Sequence, residues 1–186
     1  MRGESRRICV VLLTGVLGGC TTAKHVSQGG WLPGFPMWQE KSVLLMRVAD
    51  AIEPGEGPAG GSGQALTLGF LEALQKRQVK VSLTEETTVV GAAAQARTLG
   101  FRYVMRVAFT TWEDNATAWS GNPDRAGAAA ELYDAETAVL VATASHAETA
   151  SNMTFLASSP DRFYSAIIGN VIRCLFADGA CSQPRR

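Results

Sequence analysis

The stretch "TWEDNATAWSGNPD" (Thr111 to Asp124) gathers three carboxylates, Glu113, Asp114 and Asp124, around two indoles, Trp112 and Trp119. Two carboxylic acids flanking one bond are what acid–base cleavage of a glycan requires, one protonating the leaving oxygen and the other activating water or attacking. Tryptophan rings beside them could stack on sugar faces. The same side chains also suit a non-catalytic loop that binds protein or glycan, and the plain alternative is a solvated hairpin loop. A second constellation is Gly55, Gly57 and Gly60 in "EPGEGPAGGSGQ", which match G-x-G-x-x-G between an apolar run and an amphipathic one, as a dinucleotide turn would. Here the spacing argues against the chemistry. Asp50 to Pro54 separate the run from the glycines, Gly61, Ser62 and Gly63 lengthen the gap, and no lysine follows as a phosphate loop requires. A surface loop with no cofactor is the expectation.

Histidine offers little more. His25 and His146 are the two in the chain, and neither sits in a His/Cys cluster with metal-ligand spacing. A Ser-His-Asp arrangement would have to be built around His146, without a G-x-S-x-G turn to support it. Packing or solvation is the expected fate of that ring, and no metal and no catalytic residue is assigned.

The N-terminus, "MRGESRRICVVLLTGVLGGC", places Arg2, Arg6 and Arg7 before an apolar run from Ile8 to Leu17 that is too short to span a bilayer as a helix. Leu17-Gly18-Gly19-Cys20 resembles a bacterial lipobox. The resemblance implies cleavage after Gly19, acylation of Cys20 (palmitate among the chains) and attachment to a membrane surface through lipid. Thr21 stands where an aspartate would resemble an inner-membrane retention signal, which implies the outer membrane, periplasmic face.

Export alters the charge and cysteine arithmetic. The full chain balances 17 basic against 17 acidic residues; loss of residues 1–19 removes three arginines and one glutamate and leaves a net charge of −2. Without a basic patch, nucleic acid is an unsuitable partner. Cys9 leaves with the signal and Cys20 takes lipid. Cys174 and Cys181 then remain in an oxidising compartment, either as a disulfide or as two separate thiols.

Patterning places the elements that must carry these residues. Residues 1–19 read as signal peptide, 20–39 as lipidated cysteine and flexible tether, 40–178 as one α/β domain, and 179–186 as a tail. Trp31, Phe35 and Trp38 within the tether are expected to pack back on the domain or to sit at the membrane interface. Ser42 to Val48 and Val79 to Leu83 read as strands. Leu66, Phe70 and Leu74 mark an amphipathic helix between them. Thr84 is the expected cap of a second helix that Gly100 would end. Strands follow at Arg102 to Trp112, Ala126 to Tyr133 and Ala138 to Ala147, the last two joined by a turn at Asp134 to Thr137. Ser159-Pro160-Asp161 opens a final helix. The order β-α-β-α-β-β-β-α predicts a mixed sheet with helices packed on it.

Within this pattern, Gly100, Tyr103, Trp112-Glu113-Asp114, Trp119-Ser120-Gly121, Asp124 and Leu132-Tyr133-Asp134 resemble the domain of unknown function 4823 family of proteobacterial lipoproteins. That resemblance implies an envelope lipoprotein and no particular activity. The element order is more distantly similar to the N-terminal domain of TolB and to lipoprotein activators of peptidoglycan synthases, domains that bind other envelope proteins; this likeness is one of fold alone. Together the residues predict a lipid-anchored, non-catalytic binding module with an envelope protein as partner. The alternative is a protein that binds or cleaves cell-wall glycan through the 112–124 loop.

Overall fold

The computed structural model describes residues 24–35, 38, 40–115, 122–150, 159–176 and 181. A six-stranded sheet runs β1 (Lys24–Trp31), β8 (Leu140–Thr149), β7 (Arg125–Asp134), β6 (Tyr103–Glu113), β2 (Ser42–Met46) and β5 (Lys80–Thr84) in that spatial order. β2 pairs parallel with both β5 and β6, and the other pairings are antiparallel. A two-stranded ribbon, β3 (Ile52–Glu53) with β4 (Gly57–Pro58), follows β2. The helices are α1 (Ser62–Lys76), α2 (Val89–Leu99) and α3 (Tyr164–Phe176). This is the mixed α/β sheet that the patterning predicts.

The alternation of β2 divides the core. Val43 and Leu45 face α1 and α3, while Leu44 and Met46 face α2 with Ala92, Ala93 and Ala96. Both faces of β2 are buried, which is why "SVLLM" reads as a continuous apolar run. Beneath α3 the sheet presents Ala126, Ala128 and Ala130 of β7 and Ala142 and Ala144 of β8, all fully buried. Small floor residues let the branched side chains Ile167, Val171 and Ile172 come down close to the strands. α1 in turn meets α3 at Gly69, where a Cβ would overlap the Ile168 side chain.

Three boundaries differ from the sequence reading. Residues 24–31, expected within the flexible tether, form β1, in register from Lys24↔Thr149 to Trp31↔Ala142. "KHVSQGGW" lacks an apolar alternation because it is an edge strand, recruited by backbone bonds to β8. Thr84 ends β5, and the cap of α2 is Thr88, whose hydroxyl accepts from Gly91 N–H at 3.1 Å. Ser159 makes no capping bond; Pro160–Phe163 form a 3-10 turn that precedes α3. Trp31 and Trp38 pack on the domain, each donating its indole N–H to the Leu175 carbonyl at the end of α3, at 3.1 and 2.8 Å. They thereby satisfy a carbonyl that the last helical turn leaves without an internal partner. Gly100, in the left-handed conformation, closes α2 as expected.

Cys174 on α3 and Cys181 are joined by a disulfide, with Cα atoms 5.2 Å apart and both residues buried. The bridge closes a loop of sequence separation 7. Chain-entropy arguments give such a closure about 2–3 kcal/mol. Urea unfolding followed with and without reductant is therefore expected to differ by about that amount, and a Cys181→Ser variant should behave like the reduced protein.

Candidate functional site

The residues singled out around 112–124 take different structural roles. Trp112 is only 7% exposed. Its ring packs against Phe109 and Tyr164, with centroids 5.3 and 6.0 Å away, so it belongs to the core and offers no face to a sugar. Asp124 is also buried, and both of its carboxylate oxygens are engaged. Oδ1 accepts from Asn115 N–H at 3.1 Å, and Oδ2 pairs with the Arg162 guanidinium at 2.8 Å. Its backbone carbonyl accepts from Ala150 N–H. Asp124 thus ties the two ends of the loop to the turn before α3, and a carboxylate held this way is unsuited to the proton shuttling that the glycan-cleavage reading needs. Glu113 lies at the end of β6, loosely paired with Arg125 at 3.6 Å. Trp119 and Cys20 lie outside the described residues.

Asp114 is different. Burial, then the charges of Asp124 and Glu56, raise its proton affinity above that of an ordinary aspartate, with Arg162 opposing. Glu53, on β3, is raised likewise, by burial and then by Glu56 and Asp114. The β3–β4 ribbon and the end of β6 therefore share one negative field. Among the described residues no group of three or more His, Cys, Asp or Glu side chains could hold a metal ion.

Beside that field the sheet opens. β2 pairs with β6 only from Val43↔Tyr103 to Leu45↔Met105, and β6 continues to Glu113. Beyond Met105 no described strand pairs with that edge of β6, although the short β3 comes near it. The chain after β2 is held away by α1. Val48 N–H donates to Thr67 Oγ1 at 3.0 Å and Ala51 N–H to Ser62 Oγ at 2.9 Å. Gly63 permits this approach, since a Cβ there would overlap the Val48 carbonyl. The result is a groove of about 520 Å³ between residues 49–54 and the edge of β6 from Val107 to Glu113.

The same bonds explain the glycine loop. Asp50 turns its carboxylate onto the N-terminus of α1, accepting from Gly61 N–H at 3.2 Å and Gly63 N–H at 2.8 Å. The position that a cofactor phosphate takes in a dinucleotide fold is thus filled by an internal anion. The glycines themselves make the β3–β4 ribbon and its exit.

Sequence reading singled out His146 and expected it packed or solvated, but did not name its partners. His146 is 1% exposed; its Nδ1 lies 2.6 Å from Ser27 Oγ and its Nε2 2.6 Å from Glu148 Oε1. Asn170 of α3 approaches Nε2 at 3.3 Å. Each ring nitrogen can donate or accept, so the imidazole bridges the Ser27 hydroxyl and the Glu148 carboxylate. The hydroxyl–imidazole–carboxylate order is that of a nucleophilic triad. Here, however, the ring is closed in beneath α3, and none of these side chains lines the groove. The cluster pins the edge strand β1 to β8 and to α3. Ser27 and His146 are 119 residues apart and meet only because β1 joins the sheet.

Several solved structures resemble this fold. PelC from Paraburkholderia phytofirmans, crystallised as a dodecamer, aligns over 82% of this chain and 98% of its own, with 18% identity and a TM-score of 0.60. A point variant of the same dodecamer in another crystal form gives 83%, 98%, 17% and 0.59. The lipoprotein GNA1162 from Neisseria meningitidis aligns over 74% of this chain and 96% of its own, at 11% identity and a TM-score of 0.49. No family model matches the chain, and no curated protein matches it. At these identities the likeness to PelC establishes the fold.

The two loop aspartates should respond oppositely to substitution. Asp124→Ala leaves Arg162 and Asn115 N–H without their acceptor and is expected to lower stability by about 1–3 kcal/mol. Asp114→Asn should raise stability at pH 7, by less than about 1 kcal/mol. The raised affinity means that the folded chain holds the Asp114 proton more tightly than the unfolded chain does. Its contribution is favourable in acid and is lost as pH rises through the folded value. The gain from Asn should therefore vanish in acid, as urea titrations at pH 3.5 and 7 would show. His146→Leu strands Glu148 and Ser27 and should cost about 1–3 kcal/mol by the same assay.

Proposed function

We propose that the chain is a lipid-anchored, non-catalytic binding module of the bacterial cell envelope, held through Cys20 at the periplasmic face of the outer membrane. The observation that carries this reading is the groove along β6. It is open to solvent and lined by the exposed Ile52, whereas Asp124, one of the three carboxylates of the glycan-cleavage reading, is held in structural bonds. The lipobox-like N-terminus and the resemblance to the 4823 family support the envelope assignment. Because β1 begins at Lys24, four residues beyond Cys20, an extended link spans at most about 14 Å, and the domain works close against the membrane. A free tether of about twenty residues would have reached further.

A second reading comes from the dodecameric state of PelC, with which the fold is shared. The chain would then be a subunit of a symmetric assembly, which light scattering on the purified mature protein would report as a single discrete multimer.

The test is site-specific photocrosslinking in living cells. A photoreactive residue at Ile52, in the groove, should give a discrete adduct with an envelope protein. The same residue at Val90, which is 72% exposed on α2, should give background only. Cys20→Ser should move the chain from the membrane to the soluble periplasmic fraction. Identical patterns from positions 52 and 90, or unchanged fractionation, would count against the reading.

A further inference from the structure

We propose that the β6 edge from Val107 to Glu113 accepts an extended, basic segment of another envelope protein as an added strand. The inference rests on the binding role proposed above and names the occupant of its groove. The first ground is the backbone. A β-strand directs the N–H and C=O groups of every second residue to each side. On its β2 side this part of β6 pairs with no described strand, so a ladder begun by Val43 to Leu45 stops while the template continues. Main-chain pairing along such an edge supplies affinity without requiring a particular sequence.

The second ground is shape. The wall opposite the edge is the chain at Ala49 to Ile52, held back on α1 by the Ala51 N–H and, just before it, the Val48 N–H. A slot between a strand edge and a loop admits one extended chain and rejects the edge of a folded sheet, such as β1 of a second copy. The stretch is seven residues long, about 20–24 Å of ladder. A bulge between Phe109 and Thr111 divides it, which keeps the partner segment short and makes promiscuous edge pairing harder.

The third ground is charge. Glu53, Glu113 and Asp114 stand around the mouth, and Glu53 and Asp114 hold protons more tightly through burial first and then repulsion from neighbouring carboxylates. The nearby cations are committed, Arg162 to Asp124 and Arg125 to Glu113. Lysines or arginines on alternate positions of an incoming strand would relieve this repulsion. The other alternate positions would meet Ile52, 66% exposed, and Pro54.

The experiment uses the mature protein in detergent and fluorescent heptapeptides that alternate Lys with Val. Controls alternate Glu with Val, or carry N-methyl groups on one or the other alternate set of the Lys/Val peptide. Anisotropy should show the Lys/Val peptide binding, at least about tenfold more tightly than Glu/Val and than one of the two N-methylated forms. Added salt should weaken it. Backbone amide shifts should concentrate at 107–113. A Glu53→Lys, Asp114→Lys variant with unchanged circular dichroism should lose at least about tenfold in affinity. The proposal is overturned if both N-methylated peptides bind like the parent, if the charge-reversed variant binds equally well, or if the shifts fall elsewhere. Shifts at 107–113 that grow with protein concentration alone would assign the groove to a second copy and also overturn it. A crosslink from Ile52 in cells without peptide binding in vitro would sink this inference and leave the binding role standing. Peptide binding without any crosslink would do the reverse.

Discussion

Two hydroxyls on the first turns of α1 set the geometry on which the rest of the molecule depends. Thr67 and Ser62 take the Val48 and Ala51 N–H groups that would otherwise extend the β2 ladder, and Asp50 returns a carboxylate to the N-terminus of the same helix. A donor can be satisfied by a side chain as well as by a strand, and once satisfied it has no reason to remain in the sheet. β2 therefore peels away after Met46, β6 continues paired only with β7, and a groove forms beside the carboxylates of Glu53, Glu56 and Asp114. These bonds also place an internal anion on the glycine-rich turn. One local arrangement thus accounts for both the open edge and the filled phosphate position.

On the other side of the sheet the governing constraint is the depth at which α3 sits. Its C-terminal carbonyl is taken by two indoles, its apolar face rests on buried alanines, and a disulfide joins Cys174 to Cys181. The 3-10 turn before it is tied through Arg162 to Asp124, so that the 113–125 connection is anchored to the helix from its far end. The His146 cluster adds a polar contact between β1, β8 and α3 in the middle of this layer. Groups that would do chemistry in an open cleft are spent here on joining elements. Their burial is what makes them structural.

The order of helices and strands in the body was legible because each element carries a strong local signal. "SVLLM" is apolar on both faces, Leu66, Phe70 and Leu74 repeat at helical spacing, and Gly100 ends α2 in the conformation that glycine adopts most easily. Of the candidate loop, its acidity was visible and its usable groups were not. Nothing in "TWEDNATAWSGNPD" distinguishes a tryptophan that points into the core from one that faces water, because strand direction depends on a bulge at Thr110 and on pairing with β7. Ser27 could not be linked to His146 by any local rule.

What the sequence determined by itself were the properties that local chemistry dictates. They include the apolar run that ends in the lipobox-like Leu17-Gly18-Gly19-Cys20, the balance of 17 basic and 17 acidic residues, the helix and strand periods, and the unsuitability of Gly55, Gly57 and Gly60 for a tight phosphate turn. Tertiary structure alone decided which polar groups are free. That β1 is a strand, that Asp124 is bound to Arg162, that Asp50 caps α1 and that β6 has an open edge all follow from contacts between residues far apart in the chain. A hydrogen-bonding group is available for recognition only when no internal partner claims it, and long-range packing makes that choice.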